Sequence, residues 1–211
     1  TRISENHYHM TTTTAQAANV LSHLEYYLQI VWPELKVNVL STTEQWAGAA
    51  LAGPKSRDLL TKLFPDLDVS NEALPFMGYT EGNLFGIKAR IFRISFSGEL
   101  AYEINVESNY GLFIWEKIME IGKEFNIQPY GTEALSFLRI EMGHVAGPEL
   151  DGRTIPYDVS LEGLVSNKKD FIGKRSLQKE AFNNLDRQKL VGLVPTDKKT
   201  NIPEGSHLVM D

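Results

Sequence analysis

A pair of alternating segments joined by turn formers, at residues 87–106, most constrains how this chain can fold. The stretch RISFSGELAYEI at residues 93–104 predicts a strand, a tight turn at Ser97-Gly98 and a second strand. Because side chains alternate along a strand, each arm has one apolar face, carried by Phe92, Ile94 and Phe96 and by Tyr102, Ile104 and Val106. Glu103 and Asn105 then lie on the other face. The pattern alone is typical of a solvated hairpin with a half-buried aromatic face.

The rest of the chain mixes helical and strand patterns. Helices are predicted from about residue 17 to Pro33, over 54–64, over 110–125 and over 131–142. Strands are predicted at 36–40, 46–51, 87–96, 189–194 and 203–209, with reversals at 81–83 and at Gly86. This irregular interleaving, with hairpins as well as crossovers, favours an α+β fold over a doubly wound parallel sheet.

Composition excludes several functional classes. The chain carries 27 acidic and 21 basic residues, a formal charge of −6, which argues against a general nucleic-acid or membrane-surface binder. It has no cysteine, so thiolate chemistry is excluded. No apolar run approaches the roughly 18 residues that span a bilayer, and we predict a cytoplasmic protein. The opening Thr1 and the two predicted strands at the end suggest a fragment of a longer chain.

The sequence gives only weak evidence for other functional sites. His7 and His9 share a strand face, but no third metal ligand is near them in sequence. The chain has neither a nucleophile elbow nor a glycine-rich phosphate loop. The lysines and arginine between 168 and 175 are typical of a solvated face, and Arg139 with Glu141 is typical of a structural charge network.

Several motifs together resemble the aminomethyltransferase (glycine cleavage T-protein) family, in the form found in the alpha subunits of heterotetrameric sarcosine oxidases. Each motif alone is weak evidence for the family. Together the motifs extend over nearly the whole chain, and the set is specific. The motifs are MTTTT at 10–14, TEQW at 43–46, GPKSR at 53–57, RISFSGELAYEI at 93–104, PYGTE at 129–133, RIEMG at 139–143, TIP at 154–156 and DFIGK at 170–174.

The resemblance implies a tetrahydrofolate site. A pterin edge offers two adjacent donors, and a carboxylate accepts both in a bidentate pair. Glu103 is the position that matches the family's pterin-binding glutamate, and Ile94 and Phe96 match positions that pack on the folate. We also place Tyr102, Glu99 and Arg139 in the predicted cofactor-binding set. No residue of this chain is predicted to be catalytic, because the family's catalytic aspartate would align just before Thr1. No residue is predicted to bind metal.

The resemblance also implies the reaction and the partners. Sarcosine, a small secondary amine, would be oxidatively demethylated, and tetrahydrofolate would capture the one-carbon unit as 5,10-methylenetetrahydrofolate. The FAD, FMN and NAD sites would lie outside this chain, and the partners would be other subunits of the sarcosine oxidase type. Leu135 occupies the position at which glycine cleavage proteins carry an arginine that meets the folate tail, which favours the oxidase form.

Two alternatives stay open. One is a stand-alone tetrahydrofolate-dependent aminomethyl- or methyltransferase, or a dimethylglycine dehydrogenase-like protein. The other is a non-catalytic scaffold of the same fold. In each case the resemblance implies a truncated aminomethyltransferase fold, with a folate-binding domain at 1–185 that lacks its N-terminal part and the first strands of a C-terminal β-barrel at 186–211.

Overall fold

The computed structural model describes residues 1–184, 186–203, 205–207 and 209. The chain forms two compact units, Thr1–Leu138 and Arg139–Asp211. The functional division predicted at residue 185 is a different boundary and stays a prediction. Among the described residues, none of the helices has the length and apolar character that crossing a bilayer requires.

Strands and helices are mixed along the chain. The strands are β1 (Arg2–Ser4), β2 (His7–Tyr8), β3 (Trp46–Ala52), β4 (Tyr79–Leu84), β5 (Ile87–Phe92) and β6 (Ala101–Glu107). The α-helices are α1 (Ala17–Tyr26), which a π-helical turn at Tyr27–Val31 extends, α2 (Ser56–Leu63), α3 (Gly111–Gly122) and α4 (Thr132–Glu141). The α+β prediction agrees with this mixed content, and the four predicted helices are confirmed.

The main sheet of the first unit has the strand order β3-β6-β5-β4, and each neighbouring pair is antiparallel. β6 is an inner strand, with Glu103 paired to Ala50 on one side and to Phe92 on the other. Its next residue, Ile104, is paired to Ala49 and Ile91. Since side chains alternate along a strand, Glu103 and Ile104 point to opposite faces of the sheet.

One face of this sheet packs against α2 and α3. The core residues that these elements share are apolar and almost fully buried: Leu51, Leu59, Leu60, Leu63, Phe64, Leu84, Ala89, Ile91, Tyr102, Ile104, Val106, Ile114 and Ile118. Burying one such leucine or isoleucine contributes about 1.5–3 kcal/mol. Ser56 fixes the start of α2, because its hydroxyl donates to the Leu100 carbonyl at 2.8 Å, directly before β6.

The second unit is built largely of single 3-10 turns. They lie at Gly147–Glu149, Pro156–Asp158, Glu162–Leu164, Ser176–Gln178 and Glu180–Phe182. Asp158 is buried between Ile155 and Val159 and accepts hydrogen bonds from the Ile155 N–H at 3.0 Å and from Arg187 Nε at 2.9 Å. This charged pair ties the segment after residue 186 to the turn at 156–158.

The structure corrects three predicted strand boundaries. Residues 36–40 are not a strand, because no described segment pairs with them, and Leu40 is 78% exposed. β5 ends at Phe92 rather than at 96, so residues 93–100 form an eight-residue loop instead of a tight turn. Residues 81–83 lie inside β4, and the reversal is at Phe85-Gly86, where both residues have positive φ angles.

The two strands predicted near the end of the chain are also absent from the described residues. Residues 189–194 have no strand pairing, and Val191 and Val194 are exposed. Of residues 203–209, positions 204 and 208 lie outside the described residues, and the others are not in a strand. A strand requires a ladder of hydrogen bonds to a neighbouring strand, and among the described residues these segments have none. The Leu190 N–H donates to the Asp158 carbonyl at 2.7 Å as a single contact.

Candidate functional site

The face of the main sheet opposite α2 and α3 carries the titratable and aromatic side chains of the candidate site. The register places a row of β6 side chains, Glu103 and Asn105, on this face between small residues of β3 and large residues of β5. We call this surface the open face. Its members are Trp46, Gly48 and Ala50 of β3, Tyr79 and Glu81 of β4, Arg90 and Phe92 of β5, and Glu103 and Asn105 of β6.

Glu103 is the half-buried carboxylate of the open face. None of the hydrogen bonds or ion pairs within the described part of the chain involves its carboxylate. Desolvation by burial raises its pKa above the ordinary value of 4.5, and no neighbouring charge opposes this effect. The carboxylate of Glu103 is therefore a partly desolvated acceptor that no described side chain satisfies.

Small residues on β3 keep the side of Glu103 open. Ala50 lies directly opposite Glu103, and Gly48 lies opposite Asn105. A Cβ atom at Gly48 would come within 2.8 Å of Asn105 Oδ1. The run WAGAALA therefore presents large groups to the core only at Leu51 and leaves the open face shallow beside the carboxylate.

Aromatic rings lie on the other side of Glu103. Phe92, its neighbour on β5, is 6% exposed and contacts Tyr79 with ring centroids 5.1 Å apart. His9 stacks on Phe92 at 5.8 Å with an interplanar angle of 28°. Burial, followed by the charge of Arg90, lowers the pKa of His9, which favours a neutral imidazole. The sequence analysis placed Phe92 on an apolar face but missed its contact with His9.

A charged cluster occupies the β4–β5 half of the open face. Tyr79 donates its hydroxyl proton to Glu81, which also pairs with Lys88 and lies 3.5 Å from Arg90 Nε. Burial, and then the hydrogen bond to Glu81, raise the pKa of Tyr79 to about 12. The Arg90 guanidinium lies 4.1 Å over the ring of Trp46, a cation–π contact. Glu81 is thus neutralised within the cluster, whereas Glu103 is not.

The loop at 93–100 carries three of the predicted cofactor-binding residues. Ile94 is half-buried, and Phe96 and Glu99 are exposed. Gly98 has a φ of 83°, a left-handed conformation that glycine adopts without strain. The N–H of Gly53 donates to the Leu100 carbonyl at 2.9 Å, which fixes the end of the loop. Glu103 is the third residue of β6, so the loop leads directly to the strand that carries the carboxylate.

Two predicted residues lie elsewhere. Tyr102 is fully buried in the core, on the face of β6 opposite Glu103, and its hydroxyl has no hydrogen-bond partner among the described residues. Arg139 belongs to the second unit, where its Nη1 donates to Glu149 Oε2 at 2.7 Å and to the His144 carbonyl at 3.2 Å. A folate-binding role stays a prediction for both, and Arg139 has the charge-network contacts typical of a structural residue.

A metal site receives no support from the described residues. His9 contacts Phe92 rather than a second ligand, and the described part of the chain holds no group of three metal-ligating side chains. The open face around Glu103 is therefore the site with the most specific chemistry in the first unit. It offers one carboxylate without a partner among the described residues, flat aromatic and apolar neighbours and an adjoining loop.

Comparison with known proteins identifies the family of the chain. Residues 1–169 match the GCVT N-terminal domain, and the chain belongs to this family. It is 48% identical over 211 residues to the sarcosine oxidase subunit alpha of Rhizobium meliloti (strain 1021), covering 99% of this chain and 21% of that protein. The corresponding subunit of Corynebacterium sp. (strain P-1) is 49% identical over 212 residues, covering 100% of this chain and 22% of the relative.

A shorter relative shows the breadth of the family. The aminomethyltransferase of Halothermothrix orenii (strain H 168 / OCM 544 / DSM 9562) is 34% identical over 159 residues, which is 74% of this chain and 43% of that protein. The chain thus spans about a fifth of the length of the sarcosine oxidase subunits that it matches. The resemblance inferred from the motifs is confirmed.

Proposed function

We propose that the open face binds the pterin ring of tetrahydrofolate, with Glu103 as its anchor, and that the chain is the folate-binding part of a sarcosine oxidase-like enzyme. One observation carries this proposal. Glu103 is a half-buried carboxylate without a donor among the described residues, and desolvation raises its pKa. A ligand edge with two adjacent N–H donors supplies what this carboxylate lacks.

Tetrahydrofolate fits the side chains around Glu103. A flat heterocycle requires apolar walls. Phe92 on β5 is paired with Glu103, and Ile94 and Phe96 lie on the loop at 93–100 that leads into β6. Ala50 on the opposite side leaves room for a ring beside the carboxylate. In this proposal Glu103 orients the pterin and does not carry a proton.

The remaining predicted residues have different positions in the proposal. Glu99 is exposed on the same loop, where it is available to a ligand. Tyr102 supports β6 from the core side, and Arg139 enters the proposal only through the family resemblance. Leu135 is half-buried on α4 and has no charge with which to hold a folate tail.

The proposed reaction is the oxidative demethylation of sarcosine, in which tetrahydrofolate accepts the one-carbon unit and becomes 5,10-methylenetetrahydrofolate. The FAD, FMN and NAD sites, and the contacts with other subunits, are assigned to the longer protein. Identities of 48–49% to sarcosine oxidase alpha subunits, against 34% to an aminomethyltransferase, favour the oxidase over a stand-alone transferase. Holding the acceptor in place beside the reacting group is the contribution expected of this region.

Calorimetric titration of 5-formyltetrahydrofolate tests the proposal. We expect saturable binding to the 211-residue chain and a Kd about ten- to a hundredfold higher for Glu103→Gln, because one charge-assisted pair of hydrogen bonds is lost. Gln keeps the shape of the side chain, so a folding defect does not explain the loss. Binding should also weaken as the pH falls through the raised pKa of Glu103, since only the carboxylate accepts both donors.

Glu107→Gln is the matched control. Glu107 is an exposed residue at the end of β6, opposite Trp46, and its substitution removes the same charge from the same strand. We expect its Kd to stay within about twofold of the unmodified chain, because exposed charges separated from a ligand are screened. Equal losses in the two variants, or no binding by the unmodified chain, would contradict the proposal.

A further inference from the structure

We infer that Arg57 and Arg93 form a binding site for a small oxyanion, a carboxylate or a phosphate, at the edge of the first unit's core. Arg57 is in the first turn of α2, and Arg93 is the first residue after β5. Their side chains meet at Asn71, which lies in the connection between α2 and β4. Nothing in the proposed folate site uses these three residues.

The two guanidinium groups converge on one oxygen atom. Arg57 Nη2 donates to Asn71 Oδ1 at 2.6 Å, and Arg93 Nη1 donates to the same atom at 2.8 Å. Arg57 Nη1 also donates to the Val69 carbonyl, and Arg93 Nη1 reaches the Leu74 carbonyl at 3.0 Å. Two cationic donors sharing one neutral acceptor is the arrangement that an oxyanion oxygen satisfies best.

The positive charge of this pair is not neutralised. Within the described part of the chain, no Asp or Glu oxygen lies within 4.0 Å of either guanidinium. The nearby Asp68 carboxylate accepts instead from the Ser70 N–H at 2.8 Å. Like charges held together repel each other, and an anion between them removes that repulsion.

Both side chains keep donors for a ligand. A guanidinium has five N–H donors in a planar fork, and the contacts above use Nη1 and Nη2 of Arg57 but only Nη1 of Arg93. The carbon of the Arg57 guanidinium lies 5.8 Å from the centroid of the buried Tyr102 ring. Asn71 is exposed, so its amide oxygen is a neutral group that an anion can displace.

The position of the site separates it from the proposed folate anchor. Arg57 packs on Tyr102, which is on the core side of β6, whereas Glu103 is on the open face. A ligand at Arg57 and Arg93 is therefore recognised by charge and bidentate geometry rather than by stacking. Carboxylate and phosphate groups share that chemistry, and separate titrations with acetate and with inorganic phosphate distinguish between them.

Titration of the 211-residue chain with inorganic phosphate, and separately with acetate, tests the inference. The readout is the guanidinium Nε–H resonances of Arg57 and Arg93 at constant ionic strength, with sodium chloride as the reference. We expect saturable shifts of both signals with at least one of the two anions. Arg93→Gln should raise the Kd about ten- to a hundredfold, because it removes one charged donor set.

Asn71→Ala gives the opposite expectation. Removing the amide oxygen leaves both guanidinium groups to the anion, so the Kd should fall about threefold or more. Asn71 is exposed, so this variant is expected to fold even where Arg93→Gln does not. Arg153→Gln in the second unit is the matched control, since Arg153 is exposed and paired with Asp151. The Kd of this variant for the anion should equal that of the unmodified chain.

Three results would overturn the inference. The first is the absence of saturable shifts with phosphate and with acetate. The second is an equal response to sodium chloride, which would indicate general screening. The third is an unchanged or higher Kd for Asn71→Ala, which would make the arginine pair only a clamp that holds the connection between α2 and β4.

Discussion

Replacing Tyr102 by Phe tests whether the core side of the sheet contributes to stability independently of the open face. The Tyr102 side chain is fully buried among the core residues of α2 and β6, and its hydroxyl has no hydrogen-bond partner among the described residues. Burial raises its pKa, although Arg57 and Arg93 act in the opposite direction. The hydroxyl is therefore a buried polar group that costs stability.

The size of the effect follows from that missing partner. A buried polar group without a hydrogen bond costs about 1–3 kcal/mol, and Tyr102→Phe removes the group while keeping the ring and its contact with Arg57. Loss of a few contacts of the oxygen atom offsets part of this gain. We expect the free energy of unfolding to rise by about 1 kcal/mol, with the urea m-value unchanged.

Urea unfolding followed by tryptophan fluorescence measures this change, because Trp46 is on β3 of the same sheet. Tyr79→Phe is the control, since the Tyr79 hydroxyl donates to Glu81 and its loss should lower the free energy of unfolding by about 1.5 kcal/mol. Folate affinity should not change in Tyr102→Phe. A lower free energy of unfolding would contradict the conclusion that the Tyr102 hydroxyl lacks a hydrogen-bond partner. A tenfold higher Kd for 5-formyltetrahydrofolate would place Tyr102 in the binding site.

Three further substitutions test other parts of the structure. Glu103→Gln should raise the Tm of the ligand-free chain at neutral pH, because desolvation raises the pKa of Glu103 and so destabilises its ionised form; the gain should disappear in differential scanning calorimetry below pH 4.5. Asp158→Asn should destabilise the second unit above pH 3.8 and flatten its acid-unfolding profile, since the hydrogen bonds from Arg187 lower the pKa of Asp158. Gly111→Ala should lower the free energy of unfolding by about 1–2 kcal/mol in urea titrations, because its Cβ would meet Ala47 Cβ at 2.7 Å.

Each of these expectations has a contradicting result. A Tm for Glu103→Gln that is lower at neutral pH would show that the carboxylate is stabilised by the fold. An Asp158→Asn protein with the same acid-unfolding midpoint would show that Arg187 does not stabilise the ionised carboxylate. Gly48→Ala is the control for Gly111→Ala, because it meets only the end of the Asn105 side chain; equal losses would refute the close packing of α3 on β3.

Much of the fold was predictable because local patterns determine it. The helical spacing before Pro33 and the pattern over 110–125 predicted helices that the structure confirms. The alternation over 102–106 also predicted which side chains of β6 are buried. The strand predicted at 36–40 failed because alternation does not show whether a neighbouring strand is available to pair with it.

The candidate site was less predictable from local patterns. Glu103 was predicted from the hairpin and the family motif, and its role stays a prediction. That it has no donor among the described residues depends on every neighbouring strand. The contact of His9 with Phe92 joins residues more than 80 positions apart, and no local pattern indicates it. The loop at 93–100 was predicted as a two-residue turn, because β5 ends four residues earlier than its apolar alternation suggested.

The division of β6 between two faces has a consequence for how such a protein can evolve. Its buried residues, such as Ile104, determine whether the chain folds, and Glu103 one position away has no role in that core. Replacing Glu103 is therefore expected to leave the domain folded, because its side chain lies outside the core cluster. If Glu103 is the folate anchor, one substitution separates a folate-binding domain from a purely architectural one, and the architectural form is the one expected to be more stable.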